Sequence, residues 1–266
     1  MGTDGAVSGR PWKTLADNAD FPRSSEVDPG LSAVAGLPEL VIFDCDGVLV
    51  DSEPISAAVL ARALSAAGLP TSSSHALHEY KGLLLSEVVA RAEARLGAAL
   101  APGFGPAFER DRTREFKRSL RPIAEAAGTV AAFTAAGVRV CVASQGKLEK
   151  TELTLTLTGL RSMFGSDALF SAYSVARGKP HPDLFLHAAR VMGVAPGRSV
   201  VVEDTTIGVR AAVAAGMRAF GYAADGDEQA LRAAGAEPIR SLAQLPAQLG
   251  ITSSASPASG RRPLPD

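Results

Sequence analysis

The sequence predicts an α/β protein, a parallel sheet flanked by helices, with a helical block inserted after the first strand. Three observations carry this. Short continuous apolar runs, Leu40-Val41-Ile42-Phe43 and Ser199-Val200-Val201-Val202, have the character of strands buried on both faces. Over the C-terminal half, such runs alternate with helical patterns, as a parallel sheet with crossover helices requires. Between the first run and the rest, residues 53–120 keep helical spacing and contain no strong strand.

Composition supports a sizeable core. The chain has 266 residues, 46% of them hydrophobic and only 5% aromatic, so the core is expected to be mainly aliphatic. The formal net charge of −1 gives no basic excess for nucleic acid or an anionic membrane. No run approaches the roughly 18 apolar residues of a membrane span. The N-terminal MGTDGAVSGRPWK lacks the apolar segment of a secretory signal. Cys45 and Cys141, the two cysteines, sit in apolar strand-like runs and suggest buried thiols in a reducing, cytoplasmic setting.

Element by element, residues 1–38 and 251–266 are expected to be disordered, being rich in Gly, Ser, Pro and Ala without a sustained period. The first strand ends in Asp44-Cys45-Asp46-Gly47, where Asp-Gly marks a tight turn. Ser52 is placed to cap a helix opening with Glu53-Pro54, carrying Ile55, Val59 and Ala63 on one face and stopped by Gly68 and Pro70. Leu84, Val88, Val89 and Ala92 indicate a second helix, and Phe116 and Leu120 the end of another. Strands follow at 138–143, 169–171, 199–203 and 219–222, with helices at 125–136, 147–160, 182–192, 207–215 and 227–234. Thr151 to Leu160 alternates like a strand, but Leu153, Leu157 and Leu160 also fit a helix face; a crossover helix is expected there. The domains follow: a core of 39–52 and 121–250, and a helical cap of 53–120. Ser52 and Arg121-Pro122 are the hinge candidates.

Ligands of open parallel sheets bind beyond the carboxyl ends of the strands. This sequence sends Asp44 and Asp46, then Ser144-Gln145-Gly146, then Glu203-Asp204 to that edge, with Lys179 before a helix start. The set suits phosphate-ester cleavage. Carboxylates can hold a hard cation such as Mg²⁺. Asp44 could attack phosphorus. Asp46 could protonate the leaving alcohol and then activate water. Ser144, Gln145 and the amides near Gly146 would take phosphate oxygens at a helix N-terminus, with Lys179 adding positive charge. A lone Asp-x-Asp would say little; four such segments in order say much more.

FDCDGVLVDSE at 43–53, VCVASQG at 140–146, GKPHPDLF at 178–185 and VVEDTTIGVRAA at 201–212 resemble, in order and spacing, the four motifs of haloacid dehalogenase-type phosphatases. The resemblance spans about 39–250 and is closest to the subclass with a C1-type helical cap on a Rossmann-like core, alongside sugar-phosphate phosphatases, phosphoglycolate phosphatases and β-phosphoglucomutases. It implies an aspartyl-phosphate mechanism with Mg²⁺. In it Asp44 is nucleophile and metal ligand, and Asp46 is acid/base with its carbonyl on the metal. Ser144 is the phosphate-binding hydroxyl, Lys179 the charge-stabilising lysine, Asp204 a metal ligand, and Glu203 an acid on or beside the metal. Tyr80-Lys81-Gly82 resembles the substrate-specificity loop, so Lys81 and Gly82 are expected at the substrate.

The expected reaction is hydrolysis of a small sugar or polyol phosphate by a monomer or weak dimer. A β-phosphoglucomutase-like reading ranks second. Those relatives typically carry an arginine soon after Lys81-Gly82 and a histidine early in the first cap helix, where this chain has Leu83-Leu84-Leu85 and Ser56. The leucines also hint at a substrate with little charge beyond its phosphate. A dehalogenase would typically lack Asp46, a phosphonatase would need Lys81 to form a Schiff base, and a non-catalytic module would not need both Asp44 and Asp46.

Overall fold

The computed structural model describes residues 36–224 and 227–251. The disorder expected over 1–38 and 251–266 therefore lies outside the described residues, apart from 36–38 and Ile251. In chain order the elements are β1 (Leu40–Phe43), α1 (Glu53–Ala66), α2 (Ser73–Tyr80), α3 (Leu85–Leu96), α4 (Phe104–Ser119), α5 (Ala126–Ala135), β2 (Arg139–Ser144), α6 (Leu148–Leu157), β3 (Leu169–Ser171), α7 (Asp183–Val191), β4 (Ser199–Glu203), α8 (Thr206–Ala214), β5 (Arg218–Tyr222), α9 (Glu228–Ala233), β6 (Glu237–Ile239) and α10 (Gln244–Gln248). Among the described residues no helix is long and apolar enough to cross a membrane.

All six strands are parallel, in the order β3-β2-β1-β4-β5-β6. The chain leaves β1 to one side for β2 and β3 and returns to the other for β4 to β6. β1 is thus the switch point, where open α/β sheets place their ligands. Its four residues are fully buried, as their uninterrupted apolar run requires. Register sets the level of the site. Phe43 pairs with Val142 on one side and Val202 on the other, so Asp44 and Glu203, one residue on, leave the sheet at the same height.

The helices α1 to α4 form the cap inserted after β1. It has its own apolar cluster, including Val59, Leu60, Leu64, Tyr80, Val88 and Phe108, separate from the large cluster around the sheet. Phe116, late in α4, belongs to the sheet cluster instead. The segments joining cap to core run side by side: the Asp51 amide donates to the Arg121 carbonyl at 3.0 Å, the Ile123 amide to the Leu49 carbonyl at 2.9 Å, and Val50 bridges both Asp46 and Pro122.

The segment Thr151–Leu160 is helical over α6, with Thr151, Thr154 and Leu155 buried at helical spacing. Ser52 holds the N-cap position of α1 but makes no side-chain cap bond. Its hydroxyl donates to Asp46 Oδ1, and Pro54 already removes one of the donors a cap would serve.

Candidate active site

The ends of core strands, the loop that carries Lys179 and three stretches of the cap, 53–60, 76–88 and 108–112, line a cavity of ≈ 130 Å³ between cap and core. Asp44, just past β1, is 6% exposed and bonds to the Lys179 ammonium. Lys179 comes from the loop before α7, through a cis peptide bond to Pro180. Its ammonium also lies 2.5 Å from Glu203 Oε1 and 5.0 Å from the Phe185 ring centroid. Burial disfavours the Lys179 charge, but Asp44 and Glu203 outweigh that and hold its pKa above the ordinary lysine value. Asp44 is pushed the other way. Burial, opposed by Lys179 and helped by the neighbouring carboxylates, raises it well above the usual range.

Gly47 explains how the loop after β1 turns so sharply. Its φ of +76° is one that glycine adopts without strain, and a Cβ there would lie 2.0 Å from Asp204 Oδ2. The turn brings Asp46 against Lys150, with which its carboxylate pairs, and within 3.3 Å of the Ser144 hydroxyl. Burial opposes the Asp46 charge; Lys150, with hydrogen bonds from Lys150 and Ser52, overrides it and holds the carboxyl below its ordinary value. Ser144 is fully buried at the end of β2 and accepts from the Gly146 amide at 3.0 Å.

Glu203 is 1% exposed, and both its oxygens are engaged. Oε1 meets Lys179; Oε2 accepts from the Asp204 and Thr205 amides, each at 3.0 Å, and from the Thr205 hydroxyl at 2.8 Å. Asp204 bonds to Lys81 from the cap at 2.6 Å, while its Oδ1 is buried with no hydrogen-bond partner. Burial, offset in part by Lys81, raises Asp204 to about 6. Gly82 packs over the same loop: a Cβ there would be 3.2 Å from Thr205 Cγ2.

The expected site residues thus gather in one place, with one difference. Gln145 lines the cavity, but its side chain is also bonded to the backbone of Lys179. Its amide nitrogen donates to the Lys179 carbonyl at 3.2 Å, and its oxygen accepts from the Lys179 amide at 3.1 Å. It therefore pins the loop that carries Lys179.

Four further residues were not anticipated here: Lys150, Glu53, Thr205 and Arg112. Lys150 had a readable signal, since a lysine in the first turn opposes the helix dipole and needs a reason to be there. Arg112 had one too. It stands four residues from both Phe108 and Phe116, on the apolar face of α4 and not its outer face.

Residues 38–216 match the family of haloacid dehalogenase-like hydrolases, and the chain belongs to that family. Among its relatives is 6-phosphogluconate phosphatase of Escherichia coli K12, 30% identical over 209 residues, which cover 78% of this chain and 93% of that protein. Hexitol phosphatase B of the same strain is 33% identical over 186 residues, covering 67% and 81%. A haloacid dehalogenase family hydrolase from Deinococcus radiodurans R1, solved with phosphate and sodium bound, superposes with a TM-score of 0.68 at 31% identity, covering 83% of this chain and 100% of that one. The protein is therefore a hydrolase with the fold and cap of this family.

Family membership implies Mg²⁺. Among the described residues no group of three or more His, Cys, Asp or Glu side chains is arranged to hold a metal ion; the carboxylates of Asp44, Asp46 and Asp204 each lie against a lysine. The donor chemistry nevertheless fits a hard cation. Asp204 Oδ1 is buried without a partner, and burial disfavours ionisation of both Asp44 and Asp204, a penalty that nearby positive charge would relieve.

Proposed function

We propose that this protein hydrolyses a small sugar or polyol phosphate through an aspartyl-phosphate on Asp44. The observation that carries the reading is the placement of Asp44 at the switch point of the sheet, paired with buried Lys179 and facing a cavity closed by the cap. Asp44 and Asp204, with the Asp46 carbonyl, would hold Mg²⁺. When bound, the ion supplies positive charge that lets two anions, phosphate and carboxylate, approach one another.

Asp44 attacks phosphorus, and the bond to the ester oxygen breaks. Asp46 gives its proton to the departing alcohol. It then takes a proton from a water, whose oxygen attacks the aspartyl-phosphate, releasing phosphate and restoring the Asp44 carboxylate. Lys150 favours the charged, proton-accepting form of Asp46, so the donor half of the cycle requires Lys150 to turn toward the incoming phosphoryl group. Ser144 and the amides at the start of α6 take phosphate oxygens. Glu203 orients Lys179, Asp204 and Thr205 and does not itself bind the ion, because both its oxygens are committed.

Hydrolysis is favoured over phosphoryl transfer between sugar positions because Leu83 and Leu85, which line the cavity after Lys81-Gly82, offer no group to a second phosphate, and Ser56 carries no charge. The test is phosphate release from sugar, polyol and short-acid phosphates, with Mg²⁺ and with EDTA. Mg²⁺-dependent release is expected, and Asp44→Asn should abolish it while circular dichroism shows the fold intact. Comparable turnover by Asp44→Asn would remove Asp44 from its role. Interconversion of glucose 1-phosphate and glucose 6-phosphate without net release would replace hydrolysis by the mutase reading.

A further inference from the structure

The charged side chains around the cavity are nearly all matched. Lys179 meets Asp44 and Glu203, Lys81 meets Asp204, Lys150 meets Asp46, and Lys147 meets Glu109 at 2.8 Å. Two are left over. Glu53 and Arg112 line the same cavity and make no hydrogen bond or ion pair among the described residues.

Arg112 is the unmatched cation. It projects from α4 of the cap, with its guanidinium carbon 4.9 Å from the Phe108 ring centroid and 5.8 Å from that of Phe116. Its Nε is buried with no partner. Its charge is felt across the cavity at both Asp46 and Lys150. Two aromatic rings on one helix face therefore hold a half-buried guanidinium that makes no ion pair, its Nε buried and unbonded. Leaving such a group unmatched is costly unless a ligand completes it.

We propose that Arg112, on the cap side of the cavity, receives a carboxylate of the substrate, so that within its class this enzyme prefers phosphorylated sugar acids over the corresponding alcohols. The inference rests on the phosphatase reading above and deepens it. The planar fork of a guanidinium matches the two oxygens of a carboxylate. Charge selects a carboxylate over a second phosphate. The lining as a whole carries no surplus of positive charge, because Lys179 serves two carboxylates and Glu53 is also left over, so a monoanionic carboxylate at Arg112 is repelled less than a dianionic phosphate would be. A hydroxyl would leave the guanidinium without an ion pair. The leucines after Lys81 had hinted at a substrate with little charge beyond its phosphate. Leu83 and Leu85 do line the cavity, but the charge that reads the substrate comes from α4, a different part of the cap.

The test uses two acid–alcohol pairs of different length: 6-phosphogluconate against sorbitol 6-phosphate, and 3-phosphoglycerate against glycerol 3-phosphate. Steady-state phosphate release is measured in Mg²⁺ for the wild type, Arg112→Met and Arg112→Lys. The wild type should favour the acid in at least one pair by about 10- to 100-fold in kcat/KM, the range of a charge-assisted pair. Arg112→Met should erase most of that ratio, chiefly through KM, because a contact to a non-reacting carboxylate acts on substrate and transition state alike. Arg112→Lys, which keeps the charge and loses the fork, should fall between. A wild type that prefers neither acid, or a preference that survives in Arg112→Met of native melting temperature, overturns the proposal. Should Arg112→Met fail to fold, an unchanged acid-to-alcohol ratio in Arg112→Lys does the same. Good turnover of the alcohol phosphates with no acid preference would sink this inference alone. Inertness toward every ester in folded protein would sink the phosphatase reading, and this one with it.

Discussion

Gly208, in the first turns of α8, offers a sharp test of how the site is braced. In most helices, replacing an interior glycine by alanine stabilises by about 1 kcal/mol. Here a Cβ would fall 1.9 Å from Glu203 Oε1 and 2.0 Å from its Cδ, well inside any real contact. The carboxylate would have to leave. It would abandon Lys179, 2.5 Å away, together with the Asp204 and Thr205 amides and the Thr205 hydroxyl. Removing one partner of a buried ion pair costs about 3–5 kcal/mol. Set against the helical gain, Gly208→Ala should lose about 2–4 kcal/mol. For a domain of this size that is a fall in Tm of roughly 5–15 °C. Scanning calorimetry and urea unfolding, run beside the wild type, would read it directly. Phosphate release should fall as well, because Lys179 loses the group that orients it. A variant as stable as the wild type, or more so, would refute the claim that Glu203 is locked against α8.

Burial, with the charges of Asp46 and Asp204 nearby, raises Glu53 from its ordinary 4.5 to about 7. Between those values the folded protein keeps a proton that the unfolded chain gives up, so stability is lost as pH rises through that window. In EDTA, Glu53→Gln should therefore gain Tm over the wild type more at pH 8 than at pH 5; an equal difference at both would contradict this. Cys45 and Cys141 are fully buried, and burial pushes both thiols up. Ellman's reagent should leave both unlabelled in native protein and label both once guanidinium unfolds it, whereas rapid labelling of native protein would place at least one thiol at the surface.

What the sequence disclosed follows from how each element is stabilised. β1, β2 and β4 are central strands, and their unbroken apolar runs announce them. β6 (Glu237–Ile239) was not foreseen, because it is a three-residue edge strand with an exposed glutamate and a proline, too short to show any period. The five-residue α10 escaped for the same reason, and the polar α2, with only Ala76 and Tyr80 buried, was never resolved as a helix of its own. Asp44, Asp46, Ser144, Lys179, Glu203 and Asp204 were legible because each ends a strand or opens a helix at the ligand edge. The partners that act on them come from elsewhere. Lys150 reaches Asp46 from α6 and Arg112 enters from α4, and only the closing of cap on core brings them to the same cavity. Gln145 lies beside the site as expected, but its bonds to the Lys179 backbone were not legible, since nothing local in the sequence reveals a partner 34 residues away.

The paired segments that join cap to core carry one more consequence. Because Asp51 is tied to Arg121, and Val50 to both Asp46 and Pro122, the two connections behave as a single leaf and not as two independent tethers. The backbone bridge from Val50 to Asp46 fastens Asp46 to the inner margin of that leaf. A cap that turned about this leaf would pull on the backbone of the loop that carries Asp46, so opening the cavity would be coupled to the placement of that residue.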